Sequence, residues 1–427
     1  YDFYTGGHQV NEDVFAYSNG SGAGRALVIY HNKFGSTSGW IHASTGFLNK
    51  ASGNIESKTL HEGLNLSARP DQFVIFKDSA TNLEYIRSSE EVRQRGLYFE
   101  LGAYEYHVFL GFREIDDTAE GQYAQLNQYL SGRGVPSIDE ALQELMLSPI
   151  LNPLRALVNK GFLEARYQAR LTSKQAKPDP TLLSLQEEKF ANFIASIAEF
   201  TNTPSEVAPI VRENQRGLDS ILKLPVFERH FPFPSSQKYL QSIDFINDGL
   251  ADEPHIWHTL FLWNDLRLMG RVITSDRVFA EISRSWLEEW GVLRVVRTEL
   301  AYLGLSNEQV YRAETVLKLL IQQQNWVYSA AQQTAYGLVK NWLANEEIRS
   351  FLNINRYRGK LWFNKEAFEE LLWWMMTIAL IRLSADPTKS LAELVESLFD
   401  AFELISAILA AEADSEYQVE KLLEGLK

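Results

Sequence analysis

The hydrophobic periodicity of the chain changes near residue 116, and this change constrains the fold more than any other feature. Before it, apolar residues occur in short runs, such as 26–30 and 72–77, that are bounded by turn-forming residues. That pattern is typical of β-strands. After residue 116, almost every segment has the spacing of an amphipathic or buried helix. We therefore predict an α+β multidomain protein, with an N-terminal antiparallel β-sandwich followed by a large all-α region.

The length of 427 residues exceeds what a single hydrophobic core usually supports, so several domains are expected. We predict a β-sandwich over residues 1–116, a helical connector over 117–173, and an all-α domain over 181–427 that has room for two subdomains. The segment 174–180 contains two prolines and is the best linker candidate. A second break is expected at the Phe-Pro-Phe-Pro sequence of residues 231–234.

The charge balance limits the partners. A net charge of −14 and a pI near 5.2 disfavour nucleic acid and anionic membranes, which both require clustered Lys and Arg. A neutral partner, such as a polysaccharide, a maltooligosaccharide or another protein, fits better, and a second copy of the chain bound through its helical region stays open. The longest apolar run, residues 371–381, is too short to span a bilayer.

Cysteine is absent, which excludes disulfides, thiolate catalysis and cysteine-bound metals. We predict no cofactor and a cytoplasmic location, with secretion left open. The chain begins at Tyr1 rather than at a methionine, which favours a piece of a longer protein.

Four aromatic or imidazole side chains of the strand-rich module are candidate carbohydrate contacts, because sugars present apolar faces that stack on rings. They are Phe34, Trp40, His42 and Tyr104. Core packing is the more ordinary role for such residues. The same choice applies to the tryptophans of the C-terminal third, whose helical spacing favours core packing over sugar-stacking platforms or partner contacts.

Two histidines are weak metal-ligand candidates. His255 and His258 are three residues apart, so a helix would place them on one face. No third ligand is evident, and the HExxH spacing of zinc proteases is absent. The expected role of the preceding Asp252 and Glu253 is to stabilise the first turn of a helix that begins near Pro254. We therefore predict no metal site.

Three segments of the strand-rich module carry a resemblance to a known family: residues 11–17, residues 25–32, and residues 101–110 with their Tyr-Glu-Tyr-His-Val-Phe ending. Over residues 8–115 the chain resembles the C-terminal β-domain of alpha-amylase-family glycoside hydrolases. The resemblance implies that a catalytic (β/α)-barrel precedes Tyr1 and carries the family's Asp nucleophile, Glu acid and second Asp. None of those motifs occurs in this sequence, so no catalytic residue is assigned.

The leading hypothesis is thus a non-catalytic C-terminal portion of an alpha-amylase-like glycoside hydrolase, which stabilises the barrel and aids carbohydrate binding or assembly. One alternative is a complete glycosidase with a helical toroid as its catalytic domain. Its candidate acids are Asp252, Glu253, Asp265, Glu288 and Glu289. The other alternative is a helical scaffold for protein interactions that binds no sugar.

Overall fold

The expected α+β class is confirmed: antiparallel strands occupy the N-terminal part and helices the remainder. The computed structural model describes residues 1–7, 9–20, 22–67, 69, 71–172, 177–204, 206–230, 237–250 and 253–427. The break expected at 231–234, part of the linker expected at 174–180, and Asp252 lie outside these residues. The chain forms two compact units, Tyr1–Ser148 and Pro149–Lys427.

The strands of the first unit form where inward and outward residues alternate. In the strand over Ala26–His31, for example, Leu27, Ile29 and His31 are buried and their neighbours are not. The strands of this unit are β1 (Phe3–Thr5), β2 (Val14–Asn19), β3 (Ala26–His31), β4 (Thr37–Ile41), β5 (Phe47–Leu48), β6 (Ile55–Glu56), β7 (Gln72–Asp78), β8 (Glu84–Ser88), β9 (Leu97–Leu101) and β10 (Tyr106–Asp116).

These strands make two packed sheets. One has the strand order β1-β4-β9 and the other β2-β3-β10-β7-β8, with antiparallel pairing throughout, and β5 and β6 form a separate small hairpin. Both sheets contribute to one core, in which Ile41 and Leu97 from the first sheet pack with Leu27, Ile29 and Phe76 from the second. The arrangement is a β-sandwich.

Helices extend the first unit beyond the last strand. Those that lie in it or begin in it are α1 (Leu60–Gly63), α2 (Ser89–Arg95), α3 (Gln122–Leu130) and α4 (Ile138–Val158). Leu126, Leu130 and Ile138 form a second small core with Phe73 and Ile75 of β7. The strands end at Asp116, as the sequence predicts, but the compact unit continues to Ser148 because α3 and the start of α4 cover this part of the sheet.

Among its described residues, the second unit is helical apart from one short hairpin. Its elements are α5 (Lys160–Gln168), α6 (Pro180–Phe200), α7 (Val207–Lys223), α8 (Phe227–His230), α9 (Gln237–Gly249), α10 (Pro254–Leu266), α11 (Phe279–Glu289), α12 (Val292–Tyr302), α13 (Asn307–Gln323), α14 (Ala335–Ala344), α15 (Glu346–Phe351), β11 (Asn355–Tyr357), β12 (Lys360–Trp362), α16 (Lys365–Ser384), α17 (Leu391–Asp414) and α18 (Val419–Gly425).

Two helices of this unit are buried on nearly all sides. In α10 every residue from Trp257 to Leu266 is buried, and α16 is buried almost continuously from Leu371 to Ile381. A helix that is buried on every face belongs at the centre of a bundle. A toroid instead leaves one face of each inner helix open to a central cleft, so this packing lends the toroid alternative no support.

The expected core packing is confirmed for six of the nine tryptophans of the second unit. These six are buried: Trp257, Trp263, Trp326, Trp342, Trp373 and Trp374. Trp286 and Trp290, one helical turn apart, stack with a centroid distance of 3.9 Å. At the start of α13, Ser306 forms a capping box with Gln309.

Candidate functional site

A groove of about 860 Å³ lies within the first unit and is the main candidate site. It is lined by the edge strands β8 and β9, by neighbouring parts of β4, β7 and β10, and by the loop that follows α3. This loop approaches closely, since a Cβ on Gly134 would lie 2.7 Å from the Tyr85 ring. We call this space the sandwich groove.

Part of the groove wall consists of Trp40 and Tyr98, which are cross-strand partners on β4 and β9. Their ring centroids are 5.3 Å apart and the rings are tilted by 55°. The guanidinium of Arg95 lies 4.9 Å from the centre of the Trp40 ring, within the range of a cation–π contact. Tyr98 remains 43% exposed, so this wall offers aromatic surface to a ligand.

A second aromatic group joins the groove to the core. The imidazole of His107 stacks on Phe109 with a centroid distance of 5.6 Å and an interplanar angle of 17°. Phe99 lies 6.5 Å from the same imidazole and 5.6 Å from Phe109. Because Phe109 is buried in the core, it holds the His107 ring in place.

His107 is oriented by a buried acid. Its Nδ1 lies 2.8 Å from Oδ2 of Asp78, a side chain with no exposed surface. Burial by itself raises the pKa of Asp78, but hydrogen bonds from His107, Thr81 and the Ala80 amide outweigh it and lower the pKa below its usual value. An ionised carboxylate only accepts hydrogen bonds, so Nδ1 of His107 donates and Nε2 is its second polar atom, 3.4 Å from Oε1 of Glu105.

This pair is not a nucleophilic triad. The Thr81 hydroxyl donates to Oδ2 of Asp78 at 2.8 Å, so it is held by the acid rather than by Nε2 of His107. A triad requires the hydroxyl on the other side of the histidine. The groove therefore combines fixed polar groups and ring faces, which suits binding rather than acyl transfer.

Charged side chains complete the lining. Burial lowers the pKa of Arg87, with Glu91 opposing the shift, and its Nη2 donates to the carbonyl of Gly132 at 2.9 Å. Glu91, Glu100 and Glu105 supply carboxylates to the same groove. Carboxylates accept hydrogen bonds from hydroxyl groups, while the rings cover apolar faces.

Of the four carbohydrate candidates, Trp40 lines the sandwich groove. His42 is half-buried, and its Nε2 lies 3.2 Å from the carbonyl oxygen of Arg93 in α2. Phe34 is 84% exposed and Tyr104 is 55% exposed. These two lie on neighbouring turns, because the Tyr104 amide donates to the carbonyl of Lys33 at 3.2 Å, and neither lines the groove.

The two histidines of α10 have different environments. His258 is buried beside Tyr167, with a centroid distance of 5.7 Å, and burial together with Arg166 and Arg170 lowers its pKa to about 4. His255 is partly exposed, with its Nδ1 3.1 Å from a carboxylate oxygen of Glu253. Two guanidiniums near His258 disfavour a cation there. Among the described residues, no group of three or more His, Asp or Glu side chains is arranged to hold a metal ion.

The candidate acids of the toroid alternative occupy structural positions where they are described. Asp265 is fully buried, with Oδ2 2.5 Å from Nη1 of Arg166 and Oδ1 accepting from Gln186 and Asn214 at 2.7 and 3.1 Å. Such a saturated carboxylate has no free oxygen for a substrate. Glu288 lies on the surface, paired with Arg284 and Lys318 at 3.3 and 3.4 Å.

The sequence did not identify Asp78, Tyr98 and His107 as site residues. Asp78 directly follows the predicted strand 72–77, where an acid is typical of a turn. His107 lies in an aromatic run, in which it and Glu105 are the polar positions, and this was the available signal. Tyr98 meets Trp40 only through strand pairing between segments far apart in the chain, which a single sequence does not specify.

No family model, curated protein or solved structure matches this chain. In the part of the chain that the structure describes, no helix combines the length and apolar character needed to cross a membrane.

Proposed function

We propose that the strand-rich module is the non-catalytic β-domain of an alpha-amylase-like glycoside hydrolase, and that its sandwich groove binds the sugar chain of the substrate. The observation that carries the proposal is the presence in one groove of the Trp40–Tyr98 wall, the fixed imidazole of His107 and the carboxylate of Glu105. The family is proposed from the resemblance of residues 8–115.

The chemistry of the groove favours a neutral saccharide. Aromatic rings cover the apolar faces of pyranose units, while carboxylates accept hydrogen bonds from hydroxyl groups. An anionic sugar would meet three carboxylates in the groove, partly offset by the guanidiniums of Arg87 and Arg133, and a net charge of −14 on the chain. Maltooligosaccharides are the first choice because of the family resemblance.

A second observation supports a position beside a catalytic domain. The outer face of strands β2, β3 and β10 carries aromatic and aliphatic side chains in register: Phe15, Tyr30 and Tyr106 in one row, then Tyr17, Val28 and Val108 in the next. Phe15, Tyr17 and Tyr106 are each more than half exposed. Contiguous exposed apolar surface of this kind marks interaction sites, and in the proposal a barrel domain covers it.

Titration of maltoheptaose into the chain by isothermal calorimetry tests the groove. We expect saturable binding that weakens by about 2- to 12-fold in Trp40→Ala or Tyr98→Ala, because a stacked ring contributes about 0.5–1.5 kcal/mol beyond its buried area. The matched control is Tyr17→Ala, an exposed strand tyrosine outside the groove. Equal affinity in all variants, or no binding by the unmodified chain, would contradict the proposed site.

The sequence of the gene tests separately whether a catalytic barrel adjoins this module. An open reading frame that encodes a (β/α)-barrel with the family's three acids upstream of Tyr1 is the expected result. An unrelated upstream sequence would remove the amylase part of the proposal and leave the sugar-binding part standing.

A further inference from the structure

A second cavity, of about 610 Å³, lies within the helical unit and has a different character. It is bounded by α9, α10, α13, α16 and α17, and we call it the helical cleft. Pockets of about 300–1,000 Å³ are the usual size for small-molecule ligands. The cleft therefore has room for an organic molecule with a ring-sized body.

The interior of the cleft is apolar. Trp373 and Trp374 of α16 line it, together with Phe245, Ile256 and Val316 from three other helices. The indole N–H of Trp373 donates to the carbonyl of Ile246 at 3.0 Å, and that of Trp374 donates to Oε1 of Glu370 at 3.1 Å. Because both N–H groups are engaged, the two tryptophans offer ring surface rather than hydrogen-bond donors to a ligand.

The charged groups of the cleft are mainly acidic. Asp248, Glu369 and Glu370 line it, against the guanidinium of Arg312 and the imidazole of His255 among the described lining residues. Arg312 is already occupied, since it is paired with Glu370 and stacks 3.6 Å from the centre of the Phe351 ring. Lys365, one turn before Glu369, offsets part of the negative charge at 3.5 Å.

A buried acid lies near the cleft. Glu412, one turn beyond the lining residue Leu409, is 2% exposed, and its Oε1 has no hydrogen-bond partner among the described residues. Burial raises the pKa of Glu412, the negative charge of Glu369 raises it further, and Lys365 opposes the shift. Glu369 therefore contributes negative potential in this region, although burial is the larger cause of the shift at Glu412.

We propose that the helical cleft binds a small organic cation, an amine or ammonium group carried on an apolar, ring-sized body. The body fills the space lined by Trp373, Trp374 and Val316, while the charge lies near Glu369 and Asp248. Aromatic surface and carboxylates both attract such a charge. This site is independent of the sandwich groove and does not rest on the function proposed for it.

Four probes of matched size or contrasting charge test the cleft by calorimetry at pH 7.5. They are 2-phenylethylamine, its neutral analogue 2-phenylethanol, the anion 3-phenylpropionate, and maltotriose. We expect the amine to bind saturably and roughly tenfold or more tighter than the alcohol, with the anion weaker still. An alcohol that binds as well as the amine, a preference for maltotriose, or no saturable binding of the amine would overturn the proposal.

Two variants locate the binding. Glu369→Gln and Asp248→Asn replace exposed carboxylates and should leave folding intact, yet each should weaken the amine several-fold while leaving the alcohol unchanged. The matched control is Glu366→Gln, an exposed acid in the same helix that does not line the cleft. If the control lowers amine affinity as much as Glu369→Gln, general surface charge explains the binding and the assigned site is wrong.

Discussion

Glu213 of α7 offers the sharpest test of how the helical unit is held together. Its Oε1 lies 2.9 Å from Nη1 of Arg267 and 2.5 Å from Nη1 of Arg382, and Oε2 lies 3.8 Å from Nε of Arg271. These arginines belong to the end of α10, to α16 and to the segment after α10, so a single carboxylate joins three regions of the unit. Replacing it with glutamine keeps its shape and removes its charge.

The pKa of Glu213 gives the size of the stability loss expected for this substitution. Burial alone would raise this pKa, but Arg267 and Arg382 lower it from 4.5 to about 2. At 1.36 kcal/mol per pKa unit, this difference corresponds to about 3 kcal/mol of stability. Removing one partner of a buried ion pair typically costs about 3–5 kcal/mol, which agrees. We therefore expect Glu213→Gln to lower the free energy of unfolding by about 3 kcal/mol at pH 7.

Urea unfolding, monitored by tryptophan fluorescence, measures this loss of stability in the helical unit. Nine of the ten tryptophans belong to the helical unit, and Trp40→Phe removes the remaining one. The control is Glu396→Gln, an exposed acid of α17, for which a change within about 0.5 kcal/mol is expected. A loss below about 1 kcal/mol in Glu213→Gln would refute the assigned role of the carboxylate.

The stability lost in Glu213→Gln should depend on pH, and the sign of this dependence is fixed. Because the folded pKa of Glu213 is depressed, its contribution is fully present above the unfolded pKa of about 4.5 and is lost as the pH falls towards about 2. The stability difference between the unmodified chain and Glu213→Gln should therefore shrink steadily over this window. A difference that stays constant from pH 7 to pH 2 would show that the charge is not its source.

Three further substitutions have expected outcomes. Asp265→Asn leaves Arg166 buried without its counter-ion, so urea unfolding should show a loss of about 3–5 kcal/mol, and a near-neutral result would contradict the buried network. Gly96→Ala places a Cβ against the carbonyl of Ile41 at a φ of +80°. Calorimetry should therefore show a lower melting temperature for the strand-rich unit, corresponding to a stability loss of about 1–3 kcal/mol, and an unchanged melting temperature would contradict the strain. Ser306→Ala removes the cap of α13 and should cost about 1 kcal/mol in urea unfolding, whereas an unchanged midpoint would show the cap to be dispensable.

Local sequence patterns predict much of this fold because local chemistry determines it. The alternation along β3 marks a strand, and Ser306 with Gln309 marks the start of α13. Proline is typical of the first position of a helix, and Pro254 is the first residue of α10. These signals lie within a few residues of the feature that they specify.

The site depends instead on contacts between distant segments. Trp40 meets Tyr98 through the pairing of β4 with β9, and Asp78 meets His107 through packing at the end of β7. The boundary of the first unit also depends on contacts between distant segments, because Ile138 lies beyond the last strand and yet packs on the sheet. A single sequence does not specify such pairings, so it identified Trp40 as a candidate without its partner.

The central claim is that the strand-rich module binds sugar and that the chain does not cleave it. Two measurements on the protein with maltoheptaose test both parts of this claim. Calorimetry measures binding, and chromatography of the incubated mixture measures the length of the sugar. We expect saturable binding and full recovery of the heptasaccharide. Shorter maltooligosaccharides formed at enzyme-like rates, or the absence of any binding, would contradict the claim.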